Sequence, residues 1–184
     1  MREASVPPIG DLDALGTDGF VQALAPLFEG APAFAARLAL DRPFGSYRAL
    51  LERARLVALT MPEPEQVALL DAHPRIGAPA ADVSALSLRE QGYDREAGAA
   101  ASDPEELARQ KLAGELARLN VAYESRFGFR FVIHVAGRSR GEIALLMAEH
   151  LSADREEEIR RALDDVVDIA QDRLVHLRGA EAAG

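Results

Sequence analysis

The chain of 184 residues has no cysteine and no tryptophan, and aromatic residues make up only 5% of it. Without cysteine there are no disulfides, no thiolate catalysis and no zinc-finger sites, a usage that fits a cytoplasmic protein. Few aromatics beside abundant leucine and alanine disfavour a β-sandwich or barrel and favour helices. Positive charge is also scarce: 21 Lys and Arg stand against 30 Asp and Glu, a net charge of −9. That balance argues against nucleic acid or an anionic membrane as partner, since both reward a basic face. It leaves room for a small anionic substrate, which a single arginine is enough to hold. No apolar run approaches the roughly 20 residues of a membrane span. The opening "MREASVPPIGDLDALG" carries acids where a signal peptide is apolar. These absences predict a soluble protein that is not secreted.

What is present is helical periodicity. Phe20, Val21, Leu24, Leu27 and Phe28 form an amphipathic stripe, with Pro26 marking a kink or an early end. Pro32 suits the first turn of a second helix, and Ser46 can cap a third that Pro62 stops. Pro64 opens a short helix whose apolar residues run to His73, where Pro74 forbids continuation. "SLREQGYD" begins a further element. "DPEELARQKLAGELARLNVAYESRFG" is the clearest helix, with Asp103 and Pro104 at its start and Gly128 at its close. Ser139 and Glu142 make a capping box, and Asp154 starts the last helix. "FGFRFVIHV" alternates and reads as one short extended segment near 129–135, without a partner strand. The fold class expected is therefore all-α, a single domain over 1–184 of about seven or eight helices. Its ends, 1–10 and 178–184, are expected to be flexible.

Several residues invite chemistry, and each has a plainer job available. His73 in a helix's last turn interacts favourably with the carbonyl end, yet a loop-edge imidazole is also a good general acid–base group. Ser87 and Glu90 have capping-box spacing, which leaves Gln91 unexplained. Phe127, Phe129 and Ile133 read as a buried strap. The strap's backbone N–H and C=O groups could also bind a planar amide-like ligand. Arg138 and Arg140 could hold a carboxylate, or pair with nearby acids. The single lysine, Lys111, lies mid-helix and reads as solvated. The four histidines, at 73, 134, 150 and 176, have no metal-ligand spacing, so no metal is expected.

Taken in order, these segments resemble the 2-oxo-4-hydroxy-4-carboxy-5-ureidoimidazoline (OHCU) decarboxylase family. "PLFEGAPAFAARLALDRPF" is similar to its early segment, "AHPRIG" to its histidine motif and "SLREQ" to its Ser-x-x-Glu-Gln. "FGFRFVIHVAGRSRGEI" resembles its Phe-Gly-x-Pro-Phe stretch, and "DREEEIRRALDDVVDIAQDRL" its final helix. Each motif is short, but five in one order are specific. The resemblance implies an all-helical homodimer that decarboxylates a small ureidoimidazoline to (S)-allantoin in urate breakdown, with no cofactor. By position it implies His73 as catalytic acid, with Glu90 and Gln91 beside it. It also implies a substrate site lined by Pro74, by Ser87, Leu88, Arg89, Glu90 and Gln91, and by Phe129, Arg130, Phe131, Val132 and Ile133. Two residues depart from the pattern. Ala33 stands where the family often has tryptophan, and Arg130 replaces its usual proline, which bears on substrate preference. The competing readings are a non-catalytic helical interaction module and a hydrolase of a related ureide.

Overall fold

Pro8 precedes the first helical turn, and every regular element among the described residues is helical. The structure, a computed structural model, describes residues 5–78, Val83 and 103–182. Among them are eight α-helices, here α1 (Ile9–Ala14), α2 (Thr17–Leu24), α3 (Pro32–Leu38), α4 (Tyr47–Thr60), α5 (Glu63–Asp71), α6 (Asp103–Phe127), α7 (Arg140–His150) and α8 (Arg155–Ala182). A 3-10 turn, Ala39–Asp41, extends α3. The all-α fold class is as expected. None of these helices is long and apolar enough to cross a membrane.

The helix boundaries follow local chemistry. Helix α2 ends at Leu24, ahead of Pro26, and Pro32 occupies the first turn of α3. Ser46 accepts a hydrogen bond from the Ala49 N–H at the start of α4. At α7 the Ser139 hydroxyl accepts from the Glu142 N–H while the Glu142 carboxylate accepts from the Ser139 N–H, closing the capping box. Asp154 Oδ1 accepts from Glu156 N at 2.8 Å at the head of α8. Helix α1 begins within the first ten residues, Val6 is buried, and α8 runs to Ala182.

The chain divides into two compact units. The first joins Met1–His73 with Arg160–Gly184. Its core holds Leu12, Phe20, Leu24, Leu38, Leu50, Ala54 and Leu70, with Leu163, Val166, Val167, Ala170 and Leu174 along one stripe of α8. Arg55 of α4 forks onto Asp164 and Asp168 of α8, at 2.6 Å to each.

The second unit is Pro74–Ile159. Tyr123 of α6 is its centre, with ring centroids of Phe127 at 4.6 Å, Phe131 at 5.0 Å and Phe129 at 5.7 Å. Gly128, at φ 78°, ends α6 in the left-handed conformation that glycine adopts freely. The stretch 129–135 that follows forms no strand. Phe129, Phe131, Val132 and Ile133 are all buried, so the alternation seen in the sequence is not matched by alternating exposure. Aromatic packing replaces the missing strand partner. Beneath the cluster, the buried Glu158 carboxylate accepts from Tyr123 Oη at 2.6 Å and meets His150 Nδ1 at 2.9 Å.

Candidate functional site

Helix α5 stops where Pro74 requires. Its last residue is Asp71, and the His73 N–H donates to the Leu70 carbonyl at 3.1 Å as the final turn tightens. The imidazole folds back on the same turn, with Nδ1 at 3.1 Å from the Leu69 carbonyl oxygen. A carbonyl only accepts, so the proton is assigned to Nδ1 and Nε2 keeps its lone pair. His73 is 7% exposed. Burial, and after it the nearby Arg173 guanidinium, together push its pKa down from 6.5 to about 4. At neutral pH His73 is therefore an uncharged imidazole, a proton acceptor before it is a donor.

Arg173 is the residue that sequence reasoning missed here. It is 3% exposed, its Nη1 donates to the Leu27 carbonyl at 3.4 Å, and Nη2 lies 3.7 Å from Glu29. A buried guanidinium makes the surroundings of His73 electropositive, partly offset by Glu29. The available signal was an arginine on the apolar stripe of α8, between Ala170 and Leu174. Charged residues on such stripes are buried only with a partner or a purpose.

In the second unit, the turn after His73 lies against α6. Three side chains of α6 spaced four apart meet three successive residues of the turn in reverse order. Glu124 binds Arg75 through two hydrogen bonds of 2.6 Å. Asn120 Nδ2 donates to the Ile76 carbonyl at 2.9 Å and to Leu116 O at 2.8 Å. Leu116 packs on Gly77, whose φ is 79°. Beside this contact is a cavity of about 430 Å³ whose lining includes Pro74, Ile76, Gly77, Asn120, Val121 and Arg130. That volume suits a small ligand.

The predicted residues thus separate into groups. Pro74 and Arg130, far apart in sequence, line one cavity. Phe129 and Phe131 turn their rings into the Tyr123 cluster. Arg138 Nη1 folds onto the carbonyls of His134 and Val135, at 3.0 and 3.3 Å. Ser87, Leu88, Arg89, Glu90 and Gln91 lie outside the described residues.

Comparison with known proteins adds independent evidence. The family profile described as OHCU decarboxylase matches residues 13–175. A 2-oxo-4-hydroxy-4-carboxy-5-ureidoimidazoline decarboxylase of Haloferax volcanii is 30% identical over 98% of this chain and all of its own length. The enzyme of the same name from Amia calva is 29% identical over 89% of this chain and 90% of its own. A crystal structure of an OHCU decarboxylase in the presence of (S)-allantoin superposes with a TM-score of 0.63 and 22% identity, covering 85% of this chain and 96% of that one. A crystal structure of (S)-allantoin synthase gives a TM-score of 0.64 over 93% of this chain and 54% of that one, at 18% identity. These structures share its fold. The chain belongs to the OHCU decarboxylase family.

Proposed function

We propose that this protein decarboxylates 2-oxo-4-hydroxy-4-carboxy-5-ureidoimidazoline to (S)-allantoin in urate breakdown, as a cytoplasmic homodimer without a cofactor. One observation supports the reading most. The histidine of the family-like "AHPRIG" motif is a buried, neutral imidazole whose Nδ1 is held against the Leu69 carbonyl.

The chemistry asks for such a group. When the bond to the carboxylate breaks, its electron pair enters the ring and CO2 leaves. A proton must then reach a ring carbon on one face. Nε2 of His73 takes the proton of the substrate hydroxyl and returns it to carbon, while one proton from solvent replaces the CO2 in the balance. His73 thus acts as base first and acid second, a role worth roughly 10²–10⁴-fold in rate. The buried positive charge of Arg173 favours a substrate that carries a carboxylate. Glu90 and Gln91 orient the hydroxyl and ureido groups, so that the bond to the carboxylate stands perpendicular to the ring. Pro74, Ser87 to Gln91 and Phe129 to Ile133 line the site, the strap largely through its backbone because its phenylalanine rings are packed inside.

The test generates the unstable intermediate from urate in situ and follows CO2 release and the handedness of the allantoin. The proposal expects faster CO2 loss and the S enantiomer. Ammonia or ring opening without CO2 would make the protein a ureide hydrolase. No acceleration, and no melting shift with (S)-allantoin, would leave a helical interaction module.

A further inference from the structure

We propose that Asn120 is a substrate-recognition residue whose Oδ1 accepts a hydrogen bond from an N–H of the ureido group, in the cavity beside the turn 74–78. The proposal rests on the decarboxylase reading and gives it a recognition contact.

Asn120 is 4% exposed and stands on the buried face of α6, level with Leu116, Leu119 and Tyr123. Its amide cannot be turned around. Both groups facing Nδ2, the carbonyls of Ile76 and Leu116, are acceptors, so the nitrogen must point there and the oxygen away from them. That leaves Oδ1 buried and without a hydrogen-bond partner in the structure. An unsatisfied buried acceptor costs about 1–3 kcal/mol, a penalty that a ligand N–H would remove on binding.

The rest of the lining says which kind of ligand fits. Its charged side chains, Arg75 and Arg130, only donate, and Pro74, Ile76 and Val121 offer no polar side-chain atom. Oδ1 of Asn120 is the single side-chain acceptor among the described lining residues. A ligand with carbonyl or carboxylate oxygens for the guanidinium side and an N–H for Asn120 is complementary. A ureido group, –NH–CO–NH2, carries both. Less than 1 Å² of Oδ1 is exposed, so the wall beside it yields slightly as the donor enters. Water competes little for the contact once it forms.

The experiment compares two probes by calorimetry: (S)-allantoin, which has the ureido arm, and hydantoin, which is the same ring without it. The wild-type protein should bind allantoin about 10- to 100-fold more tightly, the range set by leaving or filling one buried hydrogen bond. In Asn120→Ala the preference should fall to within about threefold, with hydantoin affinity unchanged. Asn120→Ser, which restores a small acceptor, should recover part of it. An undiminished preference in Asn120→Ala overturns the proposal, and so does an equal loss for both probes, which marks Asn120 as a support for the turn alone. If Asn120→Ala does not fold, Asn120→Ser decides on the same criterion. Turnover of the in situ intermediate by wild-type protein is measured alongside. Turnover with no ureido discrimination sinks only the Asn120 assignment, whereas discrimination with no turnover sinks the decarboxylase reading and leaves Asn120 in a ureide-binding site.

Discussion

At His73 the decisive property is an imidazole held neutral. Its folded pKa of about 4 lies below the ordinary 6.5, so the unfolded chain takes up the proton first as pH falls. The stability tied to neutral His73 is complete above pH 6.5 and is lost as pH drops towards 4. The size is about 3 kcal/mol, from roughly 1.4 kcal/mol per pKa unit. Urea denaturation between pH 7.5 and 4 should show wild-type stability falling more steeply than that of His73→Asn, whereas parallel curves would contradict the shift. The same shift places the acid limb of kcat/KM near pH 4 rather than 6.5. The position of His73 was legible in "AHPRIG", because Pro74 must end the helix. Its charge state was not. That depends on burial and on Arg173, a residue distant in sequence, and no local pattern encodes such a contact.

Among the elements, α6 carries most of the information. Its face of Leu116, Asn120 and Glu124 grips Gly77, Ile76 and Arg75 in turn. At Gly77 both the conformation and the space exclude a side chain, since an added Cβ would stand 3.1 Å from Leu116 Cδ1 at a φ of 79°. Gly77→Ala should therefore lower stability by about 1–2 kcal/mol, read as a lower urea midpoint at unchanged m-value. One turn on from Asn120, Tyr123 donates to buried Glu158. Tyr123→Phe keeps the aromatic packing but removes that donor. It should cost about 1–3 kcal/mol in the same measurement, and a change within a few tenths of a kcal/mol would show that Glu158 is satisfied without it. Helices and caps were readable because Ser46, Ser139, Asp154 and the prolines act on their own neighbours. The stripes were readable too. What the stripes hid were their polar members, Asn120 on α6 and Glu158 and Arg173 on α8, because spacing marks a buried position but not its partner. The strap 129–135 reads as extended from alternation alone, yet its shape comes from three rings gathered around Tyr123.

For the whole molecule, the order of five short motifs pointed to the family, and the match over residues 13–175 agrees with it. Composition alone reached only an all-helical chain with an acidic surface. The dimer is an expectation of the proposed function, and sedimentation equilibrium should give about twice 19.8 kDa. The central claim is that this fold uses one neutral imidazole to move a proton while CO2 departs. The most direct measurement feeds urate-derived intermediate, made in situ, to the wild-type protein and to folded His73→Asn, and records CO2 release with allantoin chirality. Rapid CO2 loss with S-allantoin from the wild type, falling at least about 10²-fold towards the spontaneous rate and to mixed enantiomers in the variant, is the predicted result. Equal rates and equal chirality for the two proteins would contradict it.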